Sequence, residues 1–134
     1  CAMVYVPEQE LFDQLYIESE QLGYNTYDHL PLRTQNAKYP FVMIGDTQQI
    51  PINYRTAIGG TFTVTLHVWG DGESRYTVSK IMERLAELGG RTINTEHFHF
   101  VGRLNREDRQ IITDTSVPDT VLKHGILTLV FNLG

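Results

Sequence analysis

The strictest pattern in the chain runs from Thr61 to Trp69. TFTVTLHVW alternates without a break, with Phe62, Val64, Leu66 and Val68 on one side and Thr61, Thr63, Thr65, His67 and Trp69 on the other. Period-two alternation of this kind predicts a half-buried strand. GILTLVFNL, from Gly125 to Leu133, repeats it: Leu127, Leu129, Phe131 and Leu133 face one way, Ile126, Thr128, Val130 and Asn132 the other. YPFVMIG, from Tyr39 to Gly45, is apolar on both sides, as expected of a central strand, with Pro40 tolerable only at its start. Weaker strand patterns cover Tyr24 to Leu30, Glu96 to Leu104 (EHFHFVGRL) and Gln110 to Asp114.

Two stretches switch to a helical period. Pro7 suits the first position of a helix, Glu8 and Glu10 suit its positive end, and Leu11, Phe12, Leu15, Tyr16 and Leu22 share one face before Gly23. Val78, Ile81, Met82, Leu85 and Leu88 form a second stripe that stops at Gly89 and Gly90. This helix is expected to pack on the Phe62 side of the sheet. The order α, β, β, β, α, β, β, β predicts an α+β fold: a mainly antiparallel β-sheet with two α-helices packed on one face. DTQQIPINYRTAIGG, from Asp46 to Gly60, has no sustained period, and a link of that length in a compact domain is expected to be a binding loop or a hairpin arm. Ile50, Ile52, Tyr54 and Arg55 are its candidate contact residues.

Composition narrows the classes. With 134 residues and 41% hydrophobic content, the chain suits a single domain over residues 1–134 with one core. Sixteen acids against 11 Lys and Arg give a formal net charge of −5, opposite to what tight binding of a nucleic-acid backbone requires. The single cysteine, Cys1, allows neither a disulfide framework nor a Cys-based zinc site, which fits a reducing setting. No apolar run approaches the ~20 residues of a membrane-spanning helix, and no signal-peptide pattern precedes the first helix. Met3 reads as a natural first residue behind two added ones. A lipid-anchored N-terminal Cys would be followed by a polar tether, whereas a helix follows here almost at once.

The stretch WGDGESR, between the strongest strand and the second helix, is where a phosphate loop or a nucleophile elbow would sit. A P-loop needs Lys and Ser or Thr at the helix start, but Asp71 and Glu73 occupy that place and the first lysine is Lys80. An elbow needs a glycine two residues after the serine, and Ser74 has none. Ser74 as a helix N-cap accounts for the same residues. His67, His97 and His99 are expected on one sheet face, where three imidazoles have the makings of a zinc site. Their same-face companions Thr65, Trp69, Val101 and Arg103 supply no carboxylate to orient a ligand. His29 and His124 carry no spacing signal. No catalytic, cofactor-binding or metal-binding set is assigned.

The face turned away from the helices would display Trp69, Val101, Ile126 and Val130 among threonines and histidines. That mixture is too apolar for a wholly wet surface and too polar for a core, and is typical of protein interfaces. Burying it together with the 46–60 arm against sibling copies would cover the ~800 Å² per partner of a stable interface. Trp69, Val101, Val130 and the loop-side Arg75 join the candidate interface residues. Arg33, Arg55 and Arg75 are placed to pair across subunits with acids such as Glu73 or Asp46.

The amphipathic first helix, the YPFVMIGD strand, the long arm, the FTVTLHVWGDGESRYTVSKIMERL strand-turn-helix and the closing HGILTLVF strand resemble the tail-terminator and tail-completion, or head–tail joining, proteins of long-tailed bacteriophages. The similarity extends from about Leu11 to Phe131 and is most specific at the strand, the glycine-acid corner and the helix after it. It implies a non-enzymatic virion protein without cofactor that forms a ring, commonly a hexamer, at the head-proximal end of the tail. Such a ring is assembled in the host cytoplasm, caps the tail-tube protein and meets the head connector while leaving a channel for DNA. An acidic lumen would repel passing DNA rather than grip it. The alternatives are a small metal-dependent enzyme on His67, His97 and His99, which stoichiometric transition metal would reveal, and a cellular protein-binding module.

Overall fold

A computed structural model of the chain describes residues 6–28, 39–51, 60–71, 75–103, 108–115 and 121–133, the side chains of 49–51 excepted. The first helix, α1, spans Pro7–Gln21 and buries Leu11, Leu15 and Ser19. Ser19 is polar, and its hydroxyl meets Thr26 Oγ1 at 2.8 Å, while the Tyr16 hydroxyl donates to the Thr26 carbonyl at 2.8 Å. These bonds fasten α1 to β1 (Asn25–Tyr27), so the polar group is buried with its partner.

The other elements are β2 (Phe41–Pro51), β3 (Gly60–Asp71), α2 (Arg75–Leu88), β4 (Thr92–Asn94), β5 (His99–Gly102), β6 (Asp108–Asp114) and β7 (Leu122–Leu133). The seven strands form one sheet in the order β1-β2-β3-β7-β5-β4, with β6 also paired to β7. Among the described strands only β1 and β2 are parallel. Strand β7 is the axis of the sheet. One side pairs with β3 from Thr61↔Asn132 to Asp71↔Leu122, and the other is shared end to end by β6 and β5.

The alternation read along the chain is the alternation of burial: β3 is buried at every second residue from Gly60 to Gly70. Phe62, Val64, Leu66, Val68, Leu127, Leu129 and Phe131 are all covered, and they join Leu11 and Leu15 of α1 and the Val78–Leu88 stripe of α2 in a single core cluster. Phe62 and Phe100 meet edge to face, with centroids 5.3 Å apart. Gly125 lets α2 approach β7 closely, since a Cβ there would stand 2.3 Å from Met82 Sδ and 2.9 Å from Val78 Cγ1.

Four expectations change. The segment from Asp46 to Gly60 is not an irregular link throughout, because β2 continues to Pro51 and pairs with β3 as far as Pro51↔Gly60. Its period is hidden by a bulge between Ile44 and Thr47, which places two residues, Gly45 and Asp46, opposite Thr65 alone and shifts the alternation. Strand β4 was not anticipated, since three residues are too few to display a period. Strand β5 is shorter than Glu96 to Leu104, because the Thr95 hydroxyl and carboxylate-bound His97 hold a turn before it. His97 therefore leaves the sheet face assigned to it. The Gly72–Ser74 corner, including the proposed Ser74 cap, lies outside the described residues.

Candidate functional site: the helix-free sheet face

Both helices cover one side of the sheet, and the residues between the core positions make up the other. That second face carries Thr61, Thr63, Thr65, His67 and Trp69 from β3 and His124, Ile126, Thr128, Val130 and Asn132 from β7, matched across the β3–β7 ladder. Gln110 and Ile112 of β6 lie opposite Ile126 and His124. Near one end the hydroxyl of Thr61 donates to Asn132 Oδ1 at 3.2 Å.

Toward the other end, a stripe of rings crosses four strands. Tyr27 and Tyr39 flank Phe41, with centroids 5.4 and 5.3 Å away. Phe41 stacks on Trp69 at 6.4 Å, and Trp69 lies on the His124 imidazole at 3.7 Å and 11°. His124 Nε2 is 2.7 Å from His67 Nδ1, and His67 Nε2 lies where a Cβ on Gly45 would approach it to 3.0 Å. The stripe follows from register: Phe41↔Trp69, Met43↔His67 and Trp69↔His124 are direct cross-strand pairs.

Burial lowers the pKa of both imidazoles. His124 falls to about 4, through loss of solvent first and proximity to His67 second, with Asp114 opposing. His67 is lowered by burial, with Asp46 opposing. Both rings are neutral at pH 7, so one donates and the other accepts in the short contact.

The three imidazoles expected together diverge. His67 faces His124, His97 Nδ1 is 2.9 Å from Glu10 Oε2 on α1, and His99 bonds Asn94. The carboxylate that meets His97 comes not from the sheet but from α1: Glu10 also accepts from the His97 amide at 3.0 Å and the Thr95 hydroxyl at 2.8 Å. Burial raises the Glu10 pKa, but these hydrogen bonds outweigh it and the net shift is downward. Among the described residues, no group of three or more His, Cys, Asp or Glu is arranged to hold a metal ion.

The charges of the strands are divided between the two faces, while the helices carry both signs. Within the described strands no Lys or Arg falls on the helix-free face, whereas Asp71, Asp108 and Asp114 do. Lys123 and Arg109 take the helix side, where the Lys123 ammonium donates to Thr113 and Arg109 pairs with Glu83 of α2. Arg75, Lys80 and Arg84 are on α2 itself. Arg103, one residue past the end of β5, continues its register opposite Val130 through an amide bond to the Val130 carbonyl and so brings one cation to the rim of the helix-free face.

No protein-family model matches the chain. Over 96 residues, 71% of its length, it is 36% identical to the tail completion protein gp17 of Bacillus phage SPP1 and covers 68% of that protein. The chain belongs to the family of phage tail completion proteins. Among solved structures, that of SPP1 gp17 aligns with a TM-score of 0.54 at 24% identity, covering 97% of this chain and 94% of that one. A chain of the virion of a native gene transfer agent particle aligns with a TM-score of 0.62 at 13% identity, covering 95% and 94%. These two likenesses show that the α+β fold is shared.

The tail completion fold distributes the candidate contact residues unevenly. Trp69 is half-buried in the ring stripe, and its indole Nε1 is covered without a hydrogen-bond partner among the described residues. Val130 is only 7% exposed, so its side chain belongs to the fold rather than to an open surface. Val101 is 43% exposed, and Arg75 is exposed at the start of α2. Ile50 lies in β2 with its side chain not described, while Ile52, Tyr54, Arg55 and Arg33 lie outside the described residues. His124 is the member that reading along the chain missed. Its signal was positional: aligning HGILTLVF antiparallel to FTVTLHVW sets it opposite Trp69.

Proposed function

We propose that this chain is a structural, non-enzymatic virion protein that forms a ring, six copies being the expected number, at the head-proximal end of the tail. The ring ends growth of the tail tube, meets the head connector and leaves a channel for DNA, after assembly in the host cytoplasm. The observation that carries the reading is the 36% identity to a tail completion protein across two thirds of both chains.

The charge segregation supports the channel. A wall formed by the helix-free face offers DNA hydroxyls, amides and carboxylates, with the strand cations on the far side. DNA affinity rests on Lys and Arg replacing phosphate counterions, so such a wall lets the duplex slide. The arm at residues 50–55 and the exposed Val101 and Arg75 are the proposed contacts with neighbouring subunits or virion proteins.

Mass measurement across a concentration series, with and without polymerised tail tube, tests this reading. A discrete closed oligomer, alone or on tube ends, is expected. A chain that stays monomeric at every concentration and leaves tube growth unchanged would refute it, as would a ring whose lumen is lined by the α2 cations.

A further inference from the structure

Among the described residues, two strand edges stand open beside the outer edges of β1 and β4. Strand β1 covers β2 only from Phe41 to Met43, so among the described residues β2 has no strand neighbour on that side from Ile44 to Pro51. On the opposite side, β6 pairs among the described residues with β7 alone, in an unbroken seven-residue register. Open edges display unpaired backbone N–H and C=O groups, and monomeric proteins blunt them with proline, lysine or bulges. Strand β6 has no proline, lysine or bulge; its charges, Asp108, Arg109 and Asp114, sit at its ends, and its centre, Gln110 to Thr113, is uncharged. Strand β2 does carry a bulge and, at its end, Pro51, and these confine its open edge to the uncharged run between them, Thr47 to Ile50.

We infer that the open edge of β6 hydrogen-bonds to the open edge of β2 in the next copy of this chain, joining the sheets of successive subunits into one continuous wall. This rests on the ring proposed above and specifies how it closes. Strand direction favours it. Along β2-β3-β7-β6 every neighbour is antiparallel, so β2 and β6 run in opposite directions. Rotating copies about an axis inclined to the strands keeps β6 antiparallel to the next β2, and the inclination supplies the shift of about four positions along β3 that separates the level of Gln110, at His67, from that of Gln48, at Thr63. Two β6 strands pairing about Ile111 would instead set Asp108 against Asp114 twice and close a two-fold dimer, not a ring.

Register is constrained as well. Directly opposed residues share a face, and Gln48, opposite Thr63, lies on the helix-free face with Gln110 and Ile112. Opposing Gln48 to Ile112 would bring Asp114 against Asp46, so Gln48 opposite Gln110 is the register that the charges select. Helices are then left outside the wall, where the circumference is larger, and the cation-poor face turns inward.

Disulfide capture tests the pairing. In a Cys1→Ser background, Gln48→Cys with Gln110→Cys is expected to give, on mild oxidation, a non-reducible-by-heat ladder of covalent multimers ending at the ring size, lost on reduction. Each single variant is expected to give none. Ile112→Lys, a lysine on the exposed edge, is expected to retain native circular dichroism while losing the ring. Rings that form normally in the double-cysteine variant but yield no cross-link there, nor with Gln48→Cys and Ile112→Cys, overturn the pairing and leave the ring reading intact. A wild-type chain that forms no ring overturns both.

Discussion

His67 and His124, 57 residues apart in the chain, meet at 2.7 Å between Nδ1 and Nε2 beneath the Trp69 ring. Neither is at a chemically special place in its own strand. Their meeting follows from β3 and β7 aligning with Trp69 opposite His124, and it makes this end of the sheet sensitive to protons.

The pH dependence has a definite sign. Folded pKa values lie below the ordinary ~6.5 of histidine, so the unfolded chain takes up protons first as pH falls. The stability involved is fully present above about pH 6.5 and is lost between there and about 4, where His124 titrates in the fold. Because His124 is half-exposed and screened, the expected loss is about 1–2 kcal/mol rather than the full value of the shift. Urea unfolding from pH 7.5 to 4.5 measures it, and His124→Gln should flatten the profile.

Gly125→Ala should destabilise the fold by about 1–3 kcal/mol, since the added methyl meets Met82 and Val78 of α2. Thermal and urea unfolding read the loss. Combining it with Met82→Ala should cost less than the sum of the two single changes, because the second removes the atoms that the first strikes.

Glu10→Ala should free the turn at residues 95–98 from α1. Hydrogen exchange is expected to speed up at the His97 amide while the β3 and β7 amides stay protected. Glu10→Gln, which keeps an acceptor oxygen, should preserve most of that protection.

Replacing Thr63 and Thr128 with Lys puts cations on the helix-free face without touching the core. The assembled ring should then retain duplex DNA, with an affinity that falls steeply with salt. Unaltered DNA retention at low salt would mean that this face does not line the channel.

Ile52→Asp with Tyr54→Asp should leave the unfolding curve of the monomer unchanged and abolish the oligomer in a mass measurement. Loss of the folded state in that variant would place these side chains in the core and not in a contact arm.

Legibility varied with the length of each pattern. Helix α1 begins at Pro7 and helix α2 ends at Leu88, close to where the charges, apolar stripes and glycines placed their ends. Strands β3 and β7 were evident because their alternation runs far enough to exclude a helical period. The extension of β2 to Pro51 was not evident, because its bulge breaks that alternation. The imidazole grouping was misread for a related reason: His97 and His99 share a face only if both belong to a regular strand, and the turn at Thr95 removes His97 from it.

The order of residues alone determined which side chains turn inward, since a two-residue or 3.6-residue period assigns a face without knowledge of any partner. It also held the resemblance to a tail completion protein. What only the tertiary structure decided is who stands beside whom. Cross-strand register joined His124 to His67 and Trp69, placed Lys123 and Arg109 on the helix side, and left β2 beyond Met43 and the outer side of β6 without a strand neighbour among the described residues. The physical reason is that a side chain's face depends on its neighbours along the chain, whereas register depends on backbone hydrogen bonds and packing between segments far apart in it.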